Sequence, residues 1–128
     1  MLVVIDTNIL VSALWSPDGA PAMVVSLLLN GKITPCYDHR ILIEYHEILR
    51  RPKFGFSENE VYDFLSAVEG LGMSIVPEPA NIHFTDEADK KIYEAAKHCG
   101  AKLITGNLKH FPQDDIVMTP EDFLRSYS

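Results

Sequence analysis

Positive charge is what this chain has least of. Eleven lysines and arginines stand against eighteen aspartates and glutamates, for a net charge of -7. That balance argues against holding nucleic acid through a broad basic face. It leaves a nucleic-acid substrate open, because divalent cations among carboxylates reverse the local sign. Cysteine is nearly absent: Cys36 and Cys99 lie far apart in sequence and match neither a zinc knuckle nor a redox pair. They are expected to be two small buried residues in a reducing compartment. No apolar run approaches the roughly 20 residues of a membrane span, and the Val24 to Leu29 run is broken by Ser26. The apolar start is interrupted at Asp6 and does not read as a signal peptide. A cytoplasmic protein with no membrane partner is therefore expected. His39, His46, His83, His98 and His110 show no HExxH spacing, so no zinc site is assigned.

What is present reads as one globular domain over residues 1–128, with 47% hydrophobic residues to build its core. Leu2-Val3-Val4-Ile5 is the pattern of a strand buried on both faces. Asp6 then falls at its carboxyl end, the edge where open α/β sheets collect ligands, although capping the next helix is the everyday role of such an aspartate. Helical patterns follow from Ile9 to Trp15 and from about Pro21 to Asn30-Gly31, then a short strand at Ile33 to Cys36 and a helix from Arg40 to Arg50. Ser57 to Glu60 has capping-box spacing and opens a helix to about Glu69. Met73 to Val76 is the next strand, about Asp86 to His98 a long helix, and Leu103-Ile104-Thr105 and Ile116-Val117-Met118 two more strands before a capped helix at Thr119. Strands alternating with helices imply a three-layer α/β domain with a mainly parallel sheet. Trp15 and Tyr45 are expected in the core.

Two helices carry acids in awkward places. Glu44 sits at the margin of a stripe formed by Ile41, Tyr45, Ile48 and Leu49, while Glu47 points away. A solvated edge or an ion pair is the plainer explanation for Glu44. Asp89 precedes Ile92, Tyr93 and Ala96 by three, four and seven residues, so it emerges within an apolar stripe, where a charge needs a partner or a metal. Its plainer role is a first-turn acid favoured by the helix dipole. Asp86, one turn earlier, projects to the same side. A parallel sheet can bring these acids and Asp6 to one edge, and such a cluster suits Mg2+ or Mn2+.

Asp6-Thr7-Asn8-Ile9-Leu10-Val11-Ser12-Ala13, Glu44-Tyr45 with Leu49-Arg50-Arg51-Pro52, Asp89 before Ile92, and Leu103-Ile104-Thr105-Gly106 resemble, in order, the motifs of the PIN-domain family. The likeness is greatest to its small bacterial and archaeal members, the VapC-like toxins of toxin–antitoxin pairs. The resemblance implies an α/β/α fold with a five-stranded parallel sheet in the order 3-2-1-4-5. It also implies a metal-dependent ribonuclease leaving 5′-phosphate and 3′-hydroxyl ends. Asp6, Glu44 and Asp89 match the metal-site carboxylates, and Thr7, Asn8 and Thr105 the polar groups that orient them. The family's usual fourth acid is replaced by Asn107; Asn107 and Asp86 are secondary metal candidates, with Asp114 and Asp115 behind them. Arg50, Arg51, Lys53, Lys109 and His110 are the candidate RNA contacts. Phe54, Phe56 and Phe111 lie beside them and offer faces for stacking, though core packing is the ordinary role of each. The implied partners are RNA, a separately encoded antitoxin and a second copy of the chain.

Two other folds are disfavoured. A receiver-like domain needs an aspartate at a central strand end, where Met73 to Val76 runs into Pro77; a haloacid-dehalogenase-like phosphatase needs a second aspartate where Asn8 stands. The competing functional reading is a non-catalytic PIN domain that binds RNA or protein, because Asn107 brings no charge.

Overall fold

The structure, a computed structural model, describes residues 1–79, 84 and 87–127. Strand β1 (Leu2–Ile5) is central, and Val3 and Val4 are fully buried. It pairs in parallel with β2 (Thr34–Tyr37) on one side and β4 (Lys102–Ile104) on the other. Outside these lie β3 (Met73–Ser74) and β5 (Val117–Met118), also parallel, giving the order β3-β2-β1-β4-β5. Six helices occur among the described residues: α1 (Thr7–Trp15), α2 (Ala20–Leu29), α3 (His39–Leu49), α4 (Glu58–Leu71), α5 (Glu87–Cys99) and α6 (Pro120–Tyr127). Helix α5 lies across β1, β2 and β4, while α2 packs against α1, α4 and α6. The sheet is thus sandwiched in three α/β/α layers around a core that includes Ile5, Leu10, Leu28, Ile41, Leu49, Ile92, Leu103 and Phe123.

Local chemistry sets the helix starts. Asp38 caps α3 by accepting the Ile41 amide at 2.9 Å. Ser57 and Glu60 form a reciprocal capping box on α4. No single described helix is long and apolar enough to cross a membrane; α1 and α2 together are, but they bend by 101° at their break.

Several elements differ from the sequence expectation. The second strand starts one residue later, with Ile33 buried in the turn that leads into it. Helix α4 passes through Gly70 to Leu71 and stops at Gly72, where an added Cβ would lie 2.6 Å from the Val68 carbonyl oxygen. Strand β3 is only two residues long: among the described residues it pairs on one side alone, and Val76 is 90% exposed just before Pro77. Trp15 is not in the core but 59% exposed, because it ends α1 beyond the buried layer. Tyr45 is buried as expected, and Phe111 joins the core. Cys36 and Cys99 come close enough to influence each other; burial, then the neighbouring Cys99 thiol, pushes the Cys36 thiol up to about 12. They are remote only along the chain. The position of Asp86 lies outside the described residues.

Candidate active site

Strand β1 passes directly into α1 at the carboxyl edge of the sheet. Asp6 occupies the N-cap position with extended backbone (φ -62°, ψ 140°), yet its carboxylate makes no capping hydrogen bond. Instead its Oδ2 accepts from Thr105 Oγ1 at 2.8 Å, just past the end of neighbouring β4. The Asn107 amide donates to that same hydroxyl oxygen at 3.0 Å. The hydroxyl therefore accepts on one side and commits its proton to Asp6 on the other.

Glu44 reaches the same edge from α3. Tyr45, next in sequence, donates its hydroxyl to the Ile5 carbonyl and ties α3 to the end of β1. Glu44 Oε2 accepts from Thr7 Oγ1, and Oε1 accepts from Lys91 Nζ at 2.9 Å. The Glu44 and Lys91 side chains are each 17% exposed. The third acid, Asp89, stands in the first turn of α5 with its side chain largely covered, and its Oδ2 lies 3.3 Å from His110 Nδ1. That contact is an ion pair when the imidazole is protonated.

The three acids share one electrostatic field. Burial raises the Asp6 pKa above its ordinary 3.8; the Thr105 hydrogen bond opposes this, and the negative charges of Asp89 and Glu44 add to the rise. A site where a carboxylate resists ionisation through burial first, and then through two nearby acids, is one that a cation would relieve. The all-oxygen donors suit a hard divalent ion. Among the described residues, though, no three acidic, histidine or cysteine side chains are gathered as a ready ligand set. Glu44 is turned to Lys91 and Thr7, and Asp89 to His110. The chemistry of the donors fits a metal, with Lys91 beside Glu44 and the His110 imidazole beside Asp89.

The remaining sequence candidates divide. Thr7 and Thr105 hold the acids directly, whereas Asn8 is exposed on the first turn of α1. Asn107 is exposed beyond β4, engaged through its backbone. Asp114 braces the approach to β5, accepting from the Ile116 amide, the Tyr93 hydroxyl and Lys97 at 2.8–3.1 Å, and Asp115 is exposed. The backbone bond to Ile116 leads in holding the Asp114 pKa below its ordinary value. Arg50 is bound to Glu58 and His46, while Arg51, Lys53 and Lys109 are exposed.

Two features escaped the sequence reading. Lys91 pairs with Glu44, and only its spacing of two from Asp89 could have suggested it. Beyond it, Arg40 joins Asp38 at 2.7 Å and Glu94 at 3.0 Å, both carboxylates nearly enclosed. That network borders a cavity of about 230 Å3 with Ile75, Val76, Pro77 and Pro79. Glu94 interrupts the buried run Ile92 to Ala96, a pattern that does signal a satisfied buried charge.

Comparison with known proteins agrees with the geometry. Residues 2–109 match the model of the PIN domain. The chain is also similar to an uncharacterized protein of Methanocaldococcus jannaschii, MJ1680, at 30% identity over 143 aligned residues covering 98% of this chain and 90% of the relative. The sheet order, the acids brought to its carboxyl edge and the family match lead to one conclusion: this chain belongs to the PIN domain family.

Proposed function

We propose that the protein is a metal-dependent endoribonuclease that hydrolyses phosphodiester bonds in single-stranded or looped RNA. A PIN domain usually means a nuclease fold. The observation that carries the reading is Asp6: buried, held by Thr105, and raised in pKa by burial and by the charges of Asp89 and Glu44. Three acids from three elements act there as one site.

Asp6, Glu44 and Asp89 would hold Mg2+ or Mn2+, with Asn107 and Asp86 as secondary candidates. When bound, the ion supplies positive charge to a phosphodiester and lowers the pKa of water. Thr105 keeps one Asp6 oxygen oriented and leaves the other for ligand or proton. Thr7 does the same for Glu44 Oε2. Lys91 balances Glu44 until substrate and metal arrive, then stands ready to meet a phosphate oxygen. Arg51, Lys53, Lys109 and His110 are exposed to receive the RNA backbone. The expected products carry 5′-phosphate and 3′-hydroxyl ends.

The wider reading is a cytoplasmic toxin whose partner is a separately encoded antitoxin and which forms a homodimer. The motif order around Asp6, Glu44, Asp89 and Thr105 supports it, as do Met23 and Leu29, apolar side chains exposed on α2. A non-catalytic RNA- or protein-binding module is the second reading, favoured by Lys91 on Glu44 and by the uncharged Asn107. Cleavage of a mixed structured and single-stranded RNA pool with Mn2+, Mg2+ or EDTA decides between them. Metal-dependent cuts that disappear in Asp6→Asn support the nuclease; equal inertness of both proteins leaves the binding module.

A further inference from the structure

Trp15 is the chain's single tryptophan, and folding leaves it 59% exposed at the end of α1. Its orientation is nonetheless fixed. The indole meets the Phe54 ring edge-on at 5.2 Å and 87°, and Phe56 at 6.4 Å and 72°. Phe54 and Phe56 are themselves stacked at 5.8 Å and 18°. Gly55 between them has φ +70°, a conformation that costs glycine little and folds the two rings together. Lys53 Nζ lies 5.1 Å above the Phe54 ring. Arg51 and Lys53 are exposed and outside any ion pair among the described residues, whereas neighbouring Arg50 is spent on Glu58.

Six of the eleven lysines and arginines stand outside ion pairs among the described residues, and Lys53 is the one that lies over an aromatic ring. Lys53 over the Phe54 ring, with exposed Arg51 two residues before it, sets positive charge next to a buttressed indole, which suits an anionic backbone that carries flat apolar groups. We propose that Trp15, Phe54 and Phe56, with Arg51 and Lys53, form a stacking platform that holds single-stranded RNA at the far end of α1 from the carboxylate site. The proposal rests on the ribonuclease reading and deepens it by adding a base-stacking subsite. Helix α1 links the two places: Thr7 touches Glu44, and Trp15 stands eight residues further on, about 12 Å along the helix axis. Helix α3 runs in the same sense, from Glu44 to the Arg51 that follows it. The phenylalanine pair fixes the indole in advance, so little side-chain freedom is lost when a base stacks on it. Stacking tolerates any base, so the platform supplies affinity and register more than sequence choice.

Being the only tryptophan, Trp15 reports directly on its own occupancy. The metal-free protein in EDTA is titrated with an unstructured single strand of about a dozen nucleotides, and separately with the same strand in a duplex, while indole fluorescence is followed. The expected result is saturable quenching by the single strand and little by the duplex. Kd should rise about tenfold in Lys53→Glu and in the Phe54→Ala/Phe56→Ala double variant. Lys32→Glu, an exposed cation before β2, should change it little. Far-UV circular dichroism checks folding, and the surface exchange at Lys53 carries the test if the double variant misfolds. A flat titration, or quenching indifferent to Lys53→Glu, overturns the platform. So does a shift in Trp15 emission that follows protein concentration without RNA, which would assign the surface to a second copy. Metal-dependent cleavage with a flat titration would remove the platform and keep the nuclease; quenching without cleavage would do the reverse.

Discussion

Asp6 is a carboxylate in a place that resists its charge. Burial and the neighbouring Asp89 and Glu44 lift its pKa in the fold above 3.8, so the folded state holds the proton more tightly than the unfolded chain. Its protonation therefore stabilises the metal-free fold below the unfolded pKa, and that contribution is lost as pH rises through the folded pKa. Asp6→Asn removes the charge and keeps an oxygen for Thr105. Without metal, it should melt above wild type at neutral pH, and the gap should close as pH falls toward 4, read by parallel thermal scans. Thr105→Ala removes the orienting hydroxyl and should cost about 1 kcal/mol in a denaturant titration, with cleavage falling more than RNA affinity. Lys91→Gln frees Glu44 of a competing cation, so Mn2+ affinity should rise by about threefold to tenfold in a calorimetric titration. Asp6, Glu44 and Asp89 each stand in the sequence at an element start or stripe margin where charge is awkward, but only the resemblance to the PIN motifs joined them into one set. Lys91 was not legible there, since a lysine beside Asp89 on a helix reads as a solvated side chain until the fold lays α5 against α3.

Elements hold these residues in register mainly through their ends. The site depends on α1 beginning without a loop after β1, on α3 being tied down by Tyr45, and on the turn after β4 presenting Thr105. Gly72 is the tightest of the joints: a Cβ there would lie 2.6 Å from the Val68 oxygen and 2.8 Å from the Pro35 oxygen, both backbone atoms. Gly72→Ala should cost about 1–3 kcal/mol in denaturant-induced unfolding, because neither oxygen moves without its strand or helix. The capping box on α4 and the strand–helix alternation were plain in the sequence, since both arise from local chemistry. The early stop of β3 was not: Ile75 and Val76 have strand composition, but at an edge position before Pro77 they find no second partner strand among the described residues. Trp15 misled for a related reason. Periodicity gives the face of a helix, not how far the layer above it extends, and α1 outruns its cover.

At the scale of the whole molecule, acidic charge governs how the protein meets ligands. A chain of net charge -7 should bind RNA weakly without metal, and more weakly as salt increases. A divalent ion that binds only the folded state should raise stability by about 2.7 kcal/mol at 100 times its Kd, visible as a concentration-dependent melting temperature. The sheet order followed from the PIN-like motifs, and the alternation of strands and helices agreed with it. The cavity beside Arg40 and the meeting of Cys36 with Cys99 were invisible, because both are made by chain segments that become neighbours only on folding. The central claim is that Asp6, Glu44 and Asp89 form one site that a divalent ion completes. Calorimetric titration of Mn2+ into wild type and Asp6→Asn tests it most directly. Saturable binding by wild type that is lost in Asp6→Asn is the expected result; no binding to either, or equal binding to both, would contradict it.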